Sequence, residues 1–210
     1  MPEINFDPDG HVYRVDGSIW SSVTQDLESC GLTCFDIVPT DVLEEARRRG
    51  KYTHAAACLI DEGDYDREYT AGQWPQYVGY IDAYEKFVED SGFKPRRTEQ
   101  IVLDETFGII GTLDREGEVI DRDWLRFYGA PMPEEWDAFL LDLKTGAFQP
   151  GTALQLAGYD FCLPKERRLR MSIHLRPDGT YKPKFFYGPS DKYTYLAAHQ
   201  VVQWKMRNLK

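Results

Sequence analysis

The sequence has no apolar run long enough to cross a membrane, and its first ten residues lack the basic and apolar segments of a secretory signal peptide. We therefore expect a protein that does not associate with membranes and that acts in the cytoplasm. Its 210 residues, of which 42% are hydrophobic and 29% are charged, are typical of one ordinary globular domain.

Cysteine is scarce, with four residues at positions 30, 34, 58 and 162. A small secreted protein held together by disulfides would be shorter and richer in cysteine, so reduced thiols are expected. Cys30 and Cys34 form a C-x3-C pair without a second pair at zinc-finger spacing. Buried or half-buried thiols are the favoured interpretation, and a zinc site that adds His54 and Cys58 is the alternative.

Positive charge is also in short supply, because 25 lysines and arginines face 35 acidic residues and leave a net charge of −10. This balance argues against a protein that simply coats nucleic acid, since affinity for phosphates comes from basic side chains. It does not exclude an enzyme whose carboxylates collect Mg²⁺. Basic clusters at residues 47–51, 96–97 and 165–170 are either solvated surfaces or parts of a phosphate-binding track.

The pattern of apolar and turn-forming residues predicts an α/β fold, with a central mixed β-sheet flanked by helices. An N-terminal β-hairpin is expected over residues 4–15, around a turn at 7–10. Helices are predicted at residues 21–31, 40–62, 76–91, 152–163 and 191–208. Strands are predicted at 98–105, 107–117, 138–146, 168–176 and 182–188. The whole chain then forms one domain, with an inserted loop or subelement at about 118–137.

The third of the predicted sheet strands, which contains L-L-D-L-K, carries the chemistry. Side chains alternate along a strand, so Asp142 and Lys144 share one face while Leu141 and Leu143 point to the other. Asp114, predicted to end the preceding strand, comes beside Asp142 if the two strands pair. Two carboxylates and a lysine suit metal-assisted hydrolysis of a phosphodiester. A structural Asp–Lys pair at a strand end is the alternative.

Several motifs in a fixed order extend this observation. They are F-D-P-D-G-H-V-Y near the start, R-G-K-Y-T-H ending at His54, T-E-Q-I-V with Glu99, G-T-L-D from Gly111 to Asp114, D-L-K from Asp142 to Lys144, and Q-L-A-G-Y from Gln155 to Tyr159. Together they resemble the RecB-like branch of the PD-(D/E)XK nuclease superfamily, and the N-terminal stretch resembles its phage-type exonucleases. The resemblance implies a restriction-endonuclease-like fold.

The resemblance also implies a role for each matching residue. Asp114 and Asp142 are expected to bind Mg²⁺ or Mn²⁺, with His54 and the main-chain carbonyl of Leu143 as further ligands. Lys144 is expected to position the attacking water. Glu99 is expected to assist metal binding or to position the water. Gln155 and Tyr159 are expected to brace the site or to contact the backbone of the substrate.

The activity implied is that of a metal-dependent deoxyribonuclease acting on single-stranded DNA or duplex ends. An exonuclease of phage-type recombination or DNA processing, at work in a bacterial host cell, is the leading version. An endonuclease of the same fold and a catalytically silent DNA-binding subunit are the alternatives. The enzyme would act alone, as a homo-oligomer or with a recombination partner protein.

Two features depart from the pattern of the resemblance. Iron–sulfur members of the branch carry several cysteines near the C-terminus, whereas this chain has only Cys162 there, so no cluster is expected. The segment at 118–137 is longer than a compact hairpin and is rich in aromatic residues. Its large aromatic side chains are Trp124, Phe127, Tyr128 and Trp136. They would stack on unpaired bases, or else form a small satellite core or an oligomer contact.

Overall fold

The N-terminal segment forms a small antiparallel sheet of its own. The computed structural model describes residues 2–8, 10–33, 39–132 and 134–209. The predicted hairpin is present as β1 (Ile4–Asp7) and β2 (Val12–Val15), and β3 (Ser18–Trp20) adds a third strand that the sequence pattern did not predict. Asp9, in the predicted turn, lies outside the described residues.

The central sheet has five strands in the order of the chain, and it is mixed as predicted. The strands are β4 (Lys94–Asp104), β5 (Ile109–Glu118), β6 (Ala138–Lys144), β7 (Arg168–Leu175) and β8 (Tyr181–Phe186). Neighbours pair antiparallel except β6 and β7, which are parallel and therefore need a crossover connection. The sequence pattern had suggested that Asp114 ends its strand, but in the structure Asp114 lies within β5.

Seven α-helices surround the sheet within the described part of the chain: α1 (Val23–Ser29), α2 (Thr40–Glu62), α3 (Arg67–Gln73), α4 (Val78–Ser91), α5 (Arg122–Phe127), α6 (Thr152–Phe161) and α7 (Ser190–Asn208). Helix α6 is the crossover between β6 and β7. Ser22 caps α1 in a capping box with Gln25, as serine is expected to do. Helix α3 was not predicted, and none of the described helices is long and apolar enough to cross a bilayer.

The helices form two layers because β6 and β7 bury side chains on both faces. Leu141 and its neighbours face a core shared with α4 and α5, which contribute Phe87 and Leu125. Leu140 faces the opposite core, built with α1, α6 and α7. The D-x-K motif lies at the C-terminal end of β6, the central strand of the sheet.

The aromatic insertion belongs to the first of these cores. Trp124 of α5 is 6% exposed, and its indole nitrogen donates to the Tyr181 hydroxyl at 2.8 Å. Tyr128 and Trp136 pack against the same core, while Phe127 is exposed. Of the interpretations offered by the sequence, the structure therefore supports a packing role for Trp124, Tyr128 and Trp136, within the main core.

Helices α1 and α7 are joined by a buried polar network. The Asp26 carboxylate accepts hydrogen bonds from Ser21 Oγ at 2.6 Å, Tyr195 OH at 2.9 Å and His199 Nδ1 at 2.8 Å. His199 Nε2 lies 2.8 Å from the carbonyl oxygen of Phe107. Burial lowers the pKa of His199, but the hydrogen bond and charge of Asp26 outweigh burial and raise it above its ordinary value.

The raised pKa makes the contribution of His199 to stability depend on pH. The contribution is fully present below the unfolded-state pKa of about 6.5, and it is lost as the pH rises through the higher folded-state pKa. We expect His199→Gln to reduce the free energy of unfolding more at pH 6 than at pH 9, as measured by urea denaturation. The exposed His11, replaced in the same way, is the control. A His199→Gln effect of equal size at both pH values would contradict the assignment.

A candidate metal-binding active site

The central sheet brings the predicted carboxylates together at β4, β5 and β6. Asp114 lies on β5, the strand between the other two, and its Oδ2 accepts a hydrogen bond from the Leu143 amide of β6 at 2.8 Å. Glu99 lies on β4, opposite Asp114 by the register of the flanking pairs. The two acids therefore face one space at the sheet surface.

His54 of α2 completes this group. Its Nδ1 lies 3.0 Å from Glu99 Oε1, and its Nε2 lies 3.2 Å from the Leu143 carbonyl oxygen and 3.7 Å from Asp114 Oδ2. The ligand atoms of His54, Glu99 and Asp114 all lie within 4.8 Å of one another, so these side chains could hold a metal ion. The sequence had named Glu99 as an accessory residue, and the structure places it beside the ring of His54.

His54 carries a positive charge in this arrangement. Burial alone would lower its pKa, but the carboxylates of Asp114 and Glu99 outweigh burial and raise the pKa to about 9. Burial would raise the pKa of Glu99, but the hydrogen bonds and positive charges of His54 and Arg115 together outweigh burial and lower it. A protonated imidazole thus sits where a bound cation would also be held, and a metal ligated by His54 has to displace that proton.

The backbone of Glu99 is held in an unusual conformation. Its φ angle of 43° lies in the left-handed region, which costs a non-glycine residue about 1–2 kcal/mol. Strained backbone of this kind is concentrated at functional sites, where the surrounding structure holds it in place. The strain at Glu99 is therefore independent support for a functional role at this position.

Asp142 and Lys144 form the second half of the site. Lys144 Nζ donates to Asp142 Oδ1 at 2.9 Å and lies 2.8 Å from Oδ2, which is buried and accepts no hydrogen bond itself. Burial raises the pKa of Asp142, while Asp142 and Asp114 together raise the pKa of Lys144 despite its burial. The structure thus pairs Asp142 with Lys144 and leaves it outside the group formed by His54, Glu99 and Asp114.

Helix α6 supports Lys144 through a chain of hydrogen bonds. Lys144 Nζ donates to Gln155 Oε1 at 3.4 Å, and Gln155 Nε2 donates to the Tyr159 hydroxyl at 3.3 Å. Gln155 and Tyr159 share a helix face because they are four residues apart. The ring of Tyr159 lies directly over Gly111, where a Cβ atom would come within 2.7 Å of it. Gly111 therefore has to be a glycine, because any larger residue would collide with the ring of Tyr159.

Arg115 is a residue that the sequence analysis missed. Its side chain is fully buried, and its Nε donates to Asp61 Oδ2 at 2.8 Å and to Tyr84 OH at 3.0 Å. Its Nη1 also donates to Glu99 Oε1 at 3.4 Å, so it positions that carboxylate next to His54. An arginine between the acids Asp114 and Glu116 was the available signal, but its partners lie 31 and 54 residues away in sequence.

The N-terminal sheet forms a wall of the cleft that opens onto the site. The cleft has a volume of about 340 Å³ and reaches from Phe6, His11 and Tyr13 to Asp114 and Tyr159. The rings of Phe6 and Tyr13 stack with their centroids 4.5 Å apart. The Tyr13 hydroxyl shares a hydrogen bond of 2.8 Å with Thr112 Oγ1, which fixes this wall to β5.

The cysteines do not form the alternative zinc site within the described residues. Cys58 Sγ accepts from Arg115 at 3.4 Å, whereas Cys30 Sγ donates to the Ala198 carbonyl of α7, on the other side of the sheet. Cys30, Cys58 and Cys162 are free thiols. Cys34 lies outside the described residues.

Comparisons with known proteins leave the family resemblance untested. A scan against models of protein families found no match, and a search of curated proteins found none either. The functional argument therefore depends on the geometry of the site.

The contact between Gly111 and Tyr159 predicts the effect of a small substitution. Gly111→Ala should displace the buried Tyr159 ring and lower the free energy of unfolding by about 1–3 kcal/mol, measured by urea denaturation. Gly72→Ala, in α3 with open space around it, is the matched control and should be neutral or stabilising. Equal effects of the two substitutions would show that the ring has room to move.

Removal of His54 should weaken metal binding without unfolding the protein, since a quarter of its side chain is exposed. We expect His54→Ala to raise the Kd for Mn²⁺ at least about tenfold in titration calorimetry, because an imidazole ligand is lost. Circular dichroism should show an unchanged helix content. Collapse of the fold would instead identify His54 as a structural histidine.

Proposed function

We propose that the chain is a divalent-metal-dependent nuclease of the RecB-like PD-(D/E)XK type, with a restriction-endonuclease-like fold, that hydrolyses DNA phosphodiesters. The observation that carries the proposal is the clustering of the His54, Glu99 and Asp114 ligand atoms within 4.8 Å, next to the Asp142–Lys144 pair. Sequence motifs separated by up to 88 positions are thereby adjacent in space, in the arrangement that this chemistry needs.

The residues present fit Mg²⁺ or Mn²⁺. Carboxylate and carbonyl oxygens are the preferred ligands of these hard cations. Asp142 Oδ2 is buried and lies 2.8 Å from Lys144 Nζ, so an ion held by this oxygen would share it with the ammonium group. The residues that would hold the ion are His54, Glu99, Asp114, Asp142 and the main-chain carbonyl of Leu143. Such an ion, when bound, lowers the pKa of water and neutralises charge on the phosphate.

Lys144 is the residue of this chain that would act on the attacking water or on the phosphate oxygens. Its raised pKa keeps it protonated, so it donates hydrogen bonds and stabilises developing negative charge rather than acting as a base. Asp142 and Gln155 hold its ammonium group in place. Tyr159 in turn holds Gln155 and forms part of the cleft wall.

An exonuclease in phage-type recombination or DNA processing is the version we favour, with an endonuclease as the alternative. The cleft ends on the N-terminal sheet, where Tyr13 is buried and the half-buried ring of Phe6 stacked on it is the one that could meet an unpaired base of a strand end. A DNA substrate implies action in the cytoplasm, alone, as a homo-oligomer or with a recombination partner. Closed circular DNA distinguishes the two versions, because a strict exonuclease does not cut it.

The proposal predicts metal-dependent cleavage that requires Asp142 and Lys144. We expect Mg²⁺ or Mn²⁺, but not Ca²⁺ or a chelator, to support hydrolysis in a panel of single-stranded, blunt, nicked and circular DNA and of RNA. Asp142→Ala and Lys144→Ala should each lower the cleavage rate about a hundredfold or more, because the first removes a metal ligand and the second removes a positive charge beside the reacting phosphate.

Exposed residues of the same types provide the controls for this experiment. Asp64→Ala and Lys165→Ala remove the same charges outside the site and should leave the rate unchanged. Absence of cleavage by the pure protein with any metal would overturn the proposal and favour a catalytically silent DNA-binding subunit. Near-full activity of either active-site variant would remove that residue from the mechanism.

A further inference from the structure

A second groove lies beside the site, at the C-terminal ends of β6 and β7. It has a volume of about 610 Å³ and is lined by Gly146, Phe148, His174, Arg176, Lys182 and Lys184, together with Leu175 and Pro183. We refer to this set as the β8 groove. Its residues take no part in the metal cluster, and the sequence motifs did not include them.

The register of the strands places the groove on the same face of the sheet as the active site. Lys144 pairs with His174 of β7, which pairs with Lys182 of β8. Paired residues on neighbouring strands point to the same face. Neighbouring strands lie about 4.8 Å apart, so Lys182 is on the order of 10 Å from Lys144. A parallel row leads from Asp142 through Ser172 to Lys184.

The cations of the groove lack acidic partners. Most arginines and several lysines of the described chain form ion pairs, but Arg176, Lys182 and Lys184 form none with the described residues, and all three are exposed. In a chain with a net charge of −10, three unpaired cations around one groove form a local site for an anion.

An aromatic ring stands among these cations. Phe148 is 40% exposed, and Lys184 Nζ lies 3.1 Å from the centroid of its ring. The rings of Phe186 and His174 lie next to it, with centroids 6.4 and 5.9 Å away. Lys184 covers one face of the Phe148 ring, so a base would stack on the other face, with its phosphate near the cations of the groove.

The groove is also continuous with the active site at its inner end. Gly146, in its lining, follows Lys144 by two residues. Arg49 of α2 reaches this point, since a Cβ atom on Gly146 would lie 3.9 Å from Arg49 Nη2. Arg49 Nε is buried without a hydrogen-bond partner, and Arg49 forms no ion pair with a described acid. A fourth cation thus lies beside the groove, near Gly146 of its lining.

We propose that the β8 groove binds single-stranded DNA, with phosphates at Arg176, Lys182 and Lys184 and a base on Phe148, and so guides the strand to or from the catalytic centre. A duplex fits this arrangement poorly, because its bases are already stacked on one another and leave no free face for Phe148 except at an end. The guiding role rests on the proposed nuclease function, but binding in the groove does not.

Binding of a fluorescent dT12 to the full chain in chelator tests the inference without any cleavage. We expect Lys182→Ala/Lys184→Ala to weaken binding about tenfold and to lower the slope of log K against log salt by about 1.4, because each phosphate contact on a single strand contributes about 0.7. Phe148→Ala should weaken binding about tenfold, and Phe148→Trp should restore it.

The matched control removes two cations elsewhere. Lys86→Ala/Arg167→Ala makes the same change in net charge at exposed residues paired with Asp90 and Asp137, and it should change the Kd less than twofold. Equal weakening by the control and the groove variants would overturn the inference. Tighter binding of a 12-base-pair duplex than of dT12 would also overturn it. A third contrary result would be a twelve-residue oligoglutamate that binds as tightly as dT12 and whose binding the same variants abolish.

The two proposals fail in distinguishable ways. Loss of dT12 binding in the groove variants, without metal-dependent cleavage by the unmodified protein, would support the groove and reject the nuclease. If the protein cleaves DNA with metal but the groove substitutions leave its affinity for dT12 unchanged, only the proposal for the β8 groove is rejected.

Discussion

The site depends on a balance of opposite charges held close together in a poorly solvated space. Glu99, Asp114 and Asp142 come from three adjacent strands, and burial on its own would raise the pKa of Glu99 and of Asp142. Positive charges from His54, Arg115 and Lys144 are set against them at 2.8–3.7 Å. These cations come from helix α2 and from strands β5 and β6. The charges at the site are therefore balanced only when α2 is packed against the sheet, and the ion pairs in turn hold α2 there.

Local periodicity made part of this site predictable from the sequence. Alternation along β6 put Asp142 and Lys144 on one face, and the four-residue spacing in α6 put Gln155 and Tyr159 together. The order of strands and crossover helix also followed from pattern alone. The position of Asp114 within β5, the short helix α3 and the strand β3 did not follow, because turn residues mark approximate ends and short elements carry little periodic signal.

The contacts of Arg115 show a different limit of sequence reasoning. Its partners Asp61 and Tyr84 lie on α2 and α4, and only the packed fold reveals that they meet. The aromatic insertion is similar, since its composition suited base stacking as well as packing. Burial of Trp124 against Tyr181 assigns that ring to the core. Some residues that the sequence offers as ligand-binding residues are thus buried in the core of the folded protein. Long-range contacts determine which of these residues stay accessible to a ligand.

Both edges of the central sheet carry a proline flanked by basic residues: Lys94, Pro95 and Arg96 on β4, where the strand also has a bulge, and Lys182, Pro183 and Lys184 on β8. Proline lacks the amide hydrogen that a neighbouring strand would need, and like charges repel an identical edge. The sheet is therefore protected against growing from molecule to molecule. A second copy of this chain is therefore not expected to extend the sheet that carries the carboxylates.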